Sequence, residues 1–293
     1  MTSMPMLLVC ALLIAALSGD AAGLPTVAQA SRPARIVCLV PAVTEMLFAV
    51  GAGPQVVAVS SFDHHPPAVE HLARVGALLD PDLERILSLR PDLVITYGTQ
   101  TELRAQLDRA RIPQFVYTHG GFADVWRTIR EIGARVGRAE AAARLAAAIE
   151  AAIERIRQRV AGRDTPATLL VIGREAGAVR GIIASGGVGF LHEMLEIAGA
   201  RNVFADIARE SVQATTELVL ARRPAVILEI RGSPLDEARV RAEERAWRPL
   251  ASVPAVRDGR VHIIGDERTV IPGPRIAEGA ELLARAIHPG AFE

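Results

Sequence analysis

The sequence contains no lysine, so all 33 of its basic residues are arginine. This absence excludes a phosphate-binding loop of the form G-x-x-x-x-G-K-[ST], and no G-x-S-x-G nucleophile elbow is present either. The 33 basic residues are balanced by 33 acidic ones. Because neither sign is in excess, nothing in the overall charge draws the chain to nucleic acid or to an anionic membrane.

Cysteine is scarce, with one residue at position 10 and one at position 38. Cys10 lies in an apolar run at 6–17, and a stretch of small residues follows it, ending in Ala-Gln-Ala at 28–30. This pattern is typical of an export signal peptide at 1–30 that is cut near Ala30. The run is shorter than the roughly 20 residues that a spanning helix needs, but an uncleaved membrane anchor is the alternative. Cleavage would leave Cys38 alone and exclude an intramolecular disulfide.

The chain does contain a long internal repeat. Residues 45–52 (EMLFAVGA) return as 193–200 (EMLEIAGA), and residues 84–95 (ERILSLRPDLVI) return as 217–228 (ELVLARRPAVIL). The two segments occur in the same order in both halves, at a spacing far longer than that of a solenoid repeat. The repeat therefore predicts two comparable α/β lobes, and a cleft between two lobes is a preferred site for a small ligand.

Short apolar runs typical of buried strands alternate with helical patterns in both halves of the chain. This alternation predicts parallel sheets with covering helices. The strand runs of the first half lie at 35–40, 56–60, 92–97 and 114–117, and those of the second half at 168–173, 182–184, 225–230 and 260–264. We expect an N-terminal lobe at 33–120, a helical linker at 121–163 and a C-terminal lobe at 164–293.

One segment between the two lobes has no strand signal and is strongly helix-forming. Residues 140–160 contain no glycine or proline, and apolar residues recur at three- or four-residue spacing from Leu145 to Ile156. A helix of about 25 residues would be roughly 37 Å long, enough to join two lobes rigidly. The alternative is an ordinary covering helix followed by a flexible linker, but no Gly/Ser-rich stretch follows.

Four motifs follow one another along the chain: R-I-V-x-L-x-P-x-x-T-E at 35–45, S-S-F-x-x-x-P-P at 60–67, L-E-R-I-x-x-L-x-P-D-L-V-I at 83–95 and P-R-I at 274–276. In this order they resemble the periplasmic substrate-binding proteins of ABC importers for cobalamin, haem and ferric siderophores. The resemblance covers most of residues 33–289. It implies an α/β fold with two Rossmann-like lobes, one rigid backbone helix and a ligand cleft between the lobes. It also implies a monomer without cofactor or enzymatic activity, which delivers its ligand to a membrane permease and the permease's ATPase.

The same resemblance implies a role for two glutamates of the repeat, Glu84 and Glu217. In the family, one glutamate on the outer surface of each lobe pairs with arginines of the permease, and these two positions match. Each also falls at the start of a predicted helix, where the helix dipole favours a negative charge. Helix stabilisation alone is therefore the alternative explanation for both residues.

The resemblance also implies a ligand site, which we place at Phe62, His64 and Tyr97. Phe62 and Tyr97 match aromatic contacts of the corrinoid-binding members, and strand ends such as that of Tyr97 hold ligands in open α/β sheets. Two further aromatic positions are replaced near Ser211 and Arg268, which departs from those members. The haem-binding members carry a tyrosine ligand after a Val-Gly pair, where this chain has Ala77. Axial ligation of haem from that position is therefore excluded, and we expect the ligand to be cobalamin, another corrinoid or a ferric siderophore.

Three arginines, Arg174, Arg209 and Arg268, fall in loops that we predict to line the cleft. A guanidinium group pairs well with a carboxylate, catecholate or phosphate of a ligand. In a chain with so many arginines, chance placement is the alternative.

Two other functions are alternatives to the binding of a chelate. A two-lobed Rossmann-like enzyme of the transferase type would need a phosphate-binding glycine motif, and the candidates at 51–53 and 187–192 lack the required pattern. A bare metal-ion-binding protein would need a cluster of ligands, and adjacent residues such as His64 and His65 rarely chelate one ion together. We therefore expect neither a catalytic site nor a metal site.

Overall fold

The computed structural model describes residues 32–293. The predicted signal peptide at 1–30 lies outside the described residues. Two β-sheets with helices against them form the two lobes, which agrees with the predicted α/β fold. Within residues 32–293, no helix combines the length and the apolar character needed to cross a membrane.

The first lobe has a five-stranded sheet in the order β3-β2-β1-β4-β5, and all of its neighbouring strands are parallel. Parallel neighbours require a crossover after each strand, which the helices supply. The prediction of a parallel sheet is confirmed in this lobe. Its elements are β1 (Ile36–Cys38), α1 (Pro41–Ala49), β2 (Val56–Val59), β3 (Ala73–Arg74), α2 (Leu83–Ser88), β4 (Leu93–Tyr97), α3 (Thr101–Arg109) and β5 (Gln114–Tyr117).

The second lobe repeats this plan with a six-stranded sheet. Its main path runs β11-β10-β6-β7-β9, and β8 pairs separately with β6. The elements are β6 (Ala167–Gly173), β7 (Ile182–Ser185), α6 (Phe190–Ile197), β8 (Arg201–Asn202), β9 (Ser211–Ala214), α7 (Thr216–Arg222), β10 (Val226–Arg231), α8 (Glu237–Ala246), α9 (Pro254–Arg257), β11 (Val261–Gly265) and α10 (Ile276–Ile287).

The prediction of a parallel sheet is wrong at one edge of the second lobe. β7 is antiparallel to β6, and β9 is antiparallel to β7. Only residues 174–181 separate β6 from β7, and a parallel return needs a crossover of a dozen or more residues. The chain instead turns back directly, with the Glu175 amide donating to the Arg180 carbonyl at 3.0 Å.

Two helices connect the lobes: α4 (Phe122–Arg135) and α5 (Ala139–Val160). The bounds of α5 confirm the long helix predicted from the sequence at 140–160. Gly137, at φ +72°, follows the end of α4 and takes the left-handed conformation that commonly ends a helix. Helix α4 packs on α1 of the first lobe and on α5, and α5 packs on α10 of the second lobe.

The lobes share one hydrophobic core. Along β1, Ile36 and Cys38 face this core, whereas Val37 faces a smaller cluster on the outer side of the first sheet. In β10, Leu228 likewise faces the shared core and Ile227 faces a cluster of the second lobe alone. The period of two along each strand thus gives both sheets one face in the common core.

Candidate ligand site

Four aromatic side chains form a row that crosses from the first lobe to the second. Tyr97 and Tyr117 end neighbouring parallel strands in register, and their ring centroids are 5.7 Å apart. The ring of Tyr117 lies 6.2 Å from that of His119, which lies 5.3 Å from the ring of Phe190 at the start of α6. All three contacts are edge-to-face, the favourable arrangement for aromatic pairs. The row marks the point where the carboxyl ends of the first sheet meet the second lobe.

A cavity of about 240 Å³ opens beside the second half of this row. The first lobe contributes His119 to the lining of this cavity, and the remaining lining residues belong to the second lobe. Apolar side chains form most of the wall, with His119, Glu210 and Ser211 as the polar groups. The full lining is His119, Ile172, Val188, Gly189, Phe190, Leu191, Glu210, Ser211 and Val270. An apolar cavity with a few convergent polar groups is the usual form of a small-molecule site.

The electrostatics of the site favour neutral side chains. Partial removal from water lowers the pKa of His119, although the residue still reaches solvent, and Glu210 and Asp124 act in the opposite direction. The imidazole is therefore largely uncharged at neutral pH. Burial also raises the pKa values of Tyr97 and Tyr117, and both therefore remain protonated phenols. Tyr97, His119 and the cavity wall thus offer aromatic surface and a neutral nitrogen donor, whereas Tyr117, 3% exposed, lies in the core.

The loop after β2 carries Phe62 and His64 and is held by Asp63. The Asp63 carboxylate accepts from the Ser60 amide at 2.9 Å and the Ser60 hydroxyl at 2.7 Å. Arg74 donates to the carbonyls of Ser60 and Asp63 at 2.9 and 2.6 Å. Burial raises the pKa of Asp63. These bonds fix the loop backbone and leave Phe62, 66% exposed, and His64 on the surface.

The structure brings one predicted ligand residue, Tyr97, into the aromatic row. Its amide donates to Gln100 Oε1 at 3.0 Å, and the Gln100 amide group reaches the Leu78 carbonyl at 3.1 Å. These bonds fix the end of β4 against the neighbouring loop. Phe62 and His64 are exposed residues outside the cavity lining, and their role in binding remains a prediction.

The prediction that Arg174 lines the cleft is wrong. Its side chain is 0% exposed and forms ion pairs with Glu229 at 2.8 Å and Glu243 at 2.9 Å. Its guanidinium carbon also lies 5.5 Å from the centre of the Trp247 ring. The two carboxylates and the Trp247 ring surround the Arg174 guanidinium within the second lobe. A buried charge must be paired, and these two carboxylates pair it. Arg174 is therefore a structural residue.

The other two predicted arginines have different surroundings. Arg268 bonds both carboxylate oxygens of Asp266, at 2.9 and 2.6 Å, and Glu278 at 3.0 Å. These carboxylates raise its pKa and compensate its charge. Arg209 is exposed and immediately precedes Glu210, a cavity residue. The acidic neighbour, rather than the arginine, is thus part of the cavity wall.

Glu84 and Glu217 occupy equivalent positions in the two lobes. Each is the second residue of its helix, after a residue whose side chain caps the helix, Asp82 for α2 and Thr215 for α7. Both glutamates are exposed. Hydrogen bonds from its own amide and from Thr215 lower the pKa of Glu217. The geometry is compatible with helix stabilisation and with an exposed docking group.

Sequence reasoning missed Tyr117, His119, Phe190 and Glu210. Tyr117 and His119 end or follow a predicted strand, so the rule that selected Tyr97 also applied to them. Phe190 directly follows the glycine turn at 186–189, which in the sequence resembles the start of a phosphate-binding glycine motif. Nothing local marked Glu210, because its role depends on how the lobes meet.

Within the described residues, no group of three or more histidine, cysteine, aspartate or glutamate side chains is arranged to hold a metal ion. Cys38 is buried and its thiol pKa is raised to about 12 by burial, so this thiol is protonated at neutral pH.

Comparisons with known proteins agree with this description. An uncharacterised ABC transporter substrate-binding lipoprotein of Bacillus subtilis is 28% identical over 89% of this chain and 82% of its own. A vitamin B12-binding protein of Pectobacterium carotovorum is 27% identical over 88% of this chain and 91% of its own. The solved structure of a periplasmic haem-binding protein from Roseiflexus superposes with a TM-score of 0.74. It is 27% identical and covers 88% of this chain and 98% of that one.

The sequence profile of one family, described as periplasmic binding proteins, matches residues 36–267. This match includes both sheets, both connecting helices and every residue of the aromatic row. The chain therefore belongs to the periplasmic binding protein family, and it is a substrate-binding protein rather than an enzyme.

Proposed function

We propose that this protein is the substrate-binding component of an ABC importer and captures a corrinoid or an iron chelate in the cleft between its lobes. The observation that carries the proposal is the aromatic row from Tyr97 to Phe190, beside an apolar cavity. Flat aromatic and apolar surface suits the organic ring or arms of a chelate. Relatives named for vitamin B12 and haem binding support the same ligand class.

The size of the cavity indicates how such a ligand would lie. About 240 Å³ is less than the roughly 300–1,000 Å³ of pockets that enclose a drug-sized molecule. A corrinoid or ferric siderophore would therefore lie across the mouth of the cavity, over His119 and the half-buried Tyr97, with only one part inserted. The exposed Phe62 and His64, on the loop after β2, are then available as contacts at the rim.

Thermal unfolding with a panel of ligands tests this function. The panel contains cobalamin, cobinamide, haem and several ferric siderophores, each added in large excess over the protein. A ligand at 100 times its Kd stabilises the folded state by about 2.7 kcal/mol, which raises the Tm measurably. We expect a rise with at least one member and no chemical change of that ligand. Absence of a rise with every member would contradict the function.

We further propose that Glu84 and Glu217 dock the loaded protein on its permease. Both carboxylates are exposed at the second position of a helix, one in each lobe, as the two halves of the internal repeat. Such a pair matches two arginine-bearing sites on a permease with the same pseudo-symmetry. Paired charges of this kind mainly orient and steer the partners.

Export and oligomeric state follow the same proposal. The apolar run at 6–17 and the small residues before Ala30 support a signal peptide cut near Ala30, with delivery to the periplasm. A monomer is sufficient, because the cleft is formed by two lobes of one chain. The permease and its ATPase are the expected protein partners.

A further inference from the structure

His119 has a position that none of the other histidines shares. The chain has seven histidines, all of them within residues 32–293, and His119 is the one that lines the cavity. It follows β5 by two residues, at the carboxyl end of the first sheet, and it faces Phe190 across the boundary between the lobes. The cavity therefore has one imidazole group in its wall.

The two ring nitrogens of His119 have different surroundings. Nδ1 lies 3.3 Å from the Tyr117 hydroxyl oxygen, within hydrogen-bonding distance. No described residue forms a hydrogen bond or ion pair with Nε2. In the tautomer with its proton on Nδ1, the ring donates to Tyr117 and the Nε2 lone pair is free. This is the usual arrangement of a metal-binding histidine, in which one nitrogen is oriented by a partner and the other coordinates.

A single imidazole cannot hold a bare metal ion, and no cluster of further ligands exists within the described residues. It can complete the coordination of a metal that an organic ligand already encloses. Imidazole nitrogen is a suitable donor for iron and similar transition metals. The apolar and aromatic walls around it suit the organic part of such a ligand.

From this geometry we propose that Nε2 of His119 coordinates the metal of the bound chelate, at a position that the chelate leaves open. The proposal rests on the function proposed above and assigns the residue that recognises the metal itself. In the step, the Nε2 lone pair forms a bond to the metal and the metal–water bond breaks. One water molecule leaves, and no electron is transferred.

The charged groups around His119 are consistent with this role. Glu210 and Asp124 are the acidic groups whose charges act on the ring, and Tyr117 is the hydrogen-bonding neighbour. The net effect of the site lowers the pKa of His119, which leaves the ring neutral and able to coordinate at pH 7. Glu210 adds a negative charge that favours a cationic metal centre.

Absorption spectroscopy with diaquacobinamide and with ferric haem tests the coordination. Both probes carry open or water-occupied axial positions, and replacement of water by imidazole shifts their visible bands. Dicyanocobinamide, kept in excess cyanide, is the control probe because its axial positions are filled. We expect a shift for at least one open probe on addition of the protein and none for the cyanide form.

Variants assign the shift to one residue. His119→Ala should abolish the spectral shift and lower the affinity for that probe by about tenfold or more, the scale on which metal sites respond to altered ligation. Added free imidazole should restore the shift in this variant. His71→Ala, an exposed histidine outside the cavity, is the matched control and should retain both shift and affinity.

Calorimetry on the same samples distinguishes failure of the His119 coordination from failure of the proposed binding function. If a probe binds without a spectral shift, or if His119→Ala shifts the spectrum like the parent, the coordination by His119 is wrong while the binding function stands. If no member of the ligand panel binds at all, the proposed function fails and the coordination fails with it.

Discussion

Glu45 on α1 and Arg275, immediately before α10, form a bidentate ion pair between the two lobes, with donor–acceptor distances of 3.0 and 2.5 Å. Glu45 is only 4% exposed. Its counterpart in the internal repeat, Glu193 on α6, accepts from the Phe122 amide at 2.9 Å at the start of α4. Glu45 thus bonds α1 of the first lobe to the second lobe, and Glu193 bonds α6 of the second lobe to the connecting helix α4.

The ion pair predicts a large effect of one substitution. Arg275→Ala leaves the buried Glu45 carboxylate without its bidentate partner, which commonly costs about 3–5 kcal/mol. Arg285→Ala on α10 is the matched control, because its pair with Glu281 is exposed and worth less than about 1 kcal/mol. Urea unfolding of both variants measures the difference. Equal losses of stability would show that the Glu45 pair does not hold the lobes together.

Titration of His119 predicts a pH dependence of stability. Its pKa is lowered in the folded protein, so the folded state binds fewer protons than the unfolded state as the pH falls below about 6.5. The parent should therefore lose stability relative to His119→Gln as the pH falls through that range, and the difference should be constant above it. Urea unfolding of the ligand-free proteins at several pH values measures it. Parallel curves down to pH 5 would contradict this protonation cost.

The shared core predicts little relative movement of the lobes. One hydrophobic cluster runs from the first sheet through α5 to α10, and the Glu45–Arg275 pair crosses the same boundary. Helix α5 is unbroken from Ala139 to Val160, and the turn at 136–138 between α4 and α5 is too short a loop to absorb a large rotation. X-ray scattering profiles with and without a saturating ligand should nearly superimpose. A marked compaction on binding would contradict the rigid connection.

The docking proposal predicts a separation of binding from transport. Glu84→Ala combined with Glu217→Ala should leave ligand affinity unchanged but abolish uptake in cells that express the importer. Glu102→Ala combined with Glu237→Ala is the matched control, since these exposed glutamates also lie in the first turn of a helix, one in each lobe. Full transport by the first double variant would leave helix stabilisation as the role of Glu84 and Glu217.

Much of the architecture could be predicted from the sequence because it is local. Apolar runs of strand length, helical spacing and the internal repeat identified the two lobes and α5. The antiparallel direction of β7 could also be predicted from the sequence, since the connection at 174–181 is too short for a parallel crossover.

The site was predicted less well because it depends on contacts between distant residues. Tyr97 was found from its place at a strand end, but Phe190 meets the row only through the packing of the lobes. Arg174 is polar and lies in a turn, which suggested exposure. Its partners Glu229 and Glu243 are 55 and 69 positions away, and no local pattern indicates such a pairing.

Titration calorimetry on variants of the aromatic row tests whether a metal chelate binds on this row. The ligand is the member of the panel that most stabilises the parent. Tyr97→Ala and Phe190→Ala each remove an aromatic anchor, which costs roughly 2 kcal/mol or more and weakens binding about thirtyfold. Phe292→Ala, near the C-terminus and against Arg285, is the control and should bind like the parent. Unchanged affinity in both Tyr97→Ala and Phe190→Ala would contradict the placement of the ligand on this row.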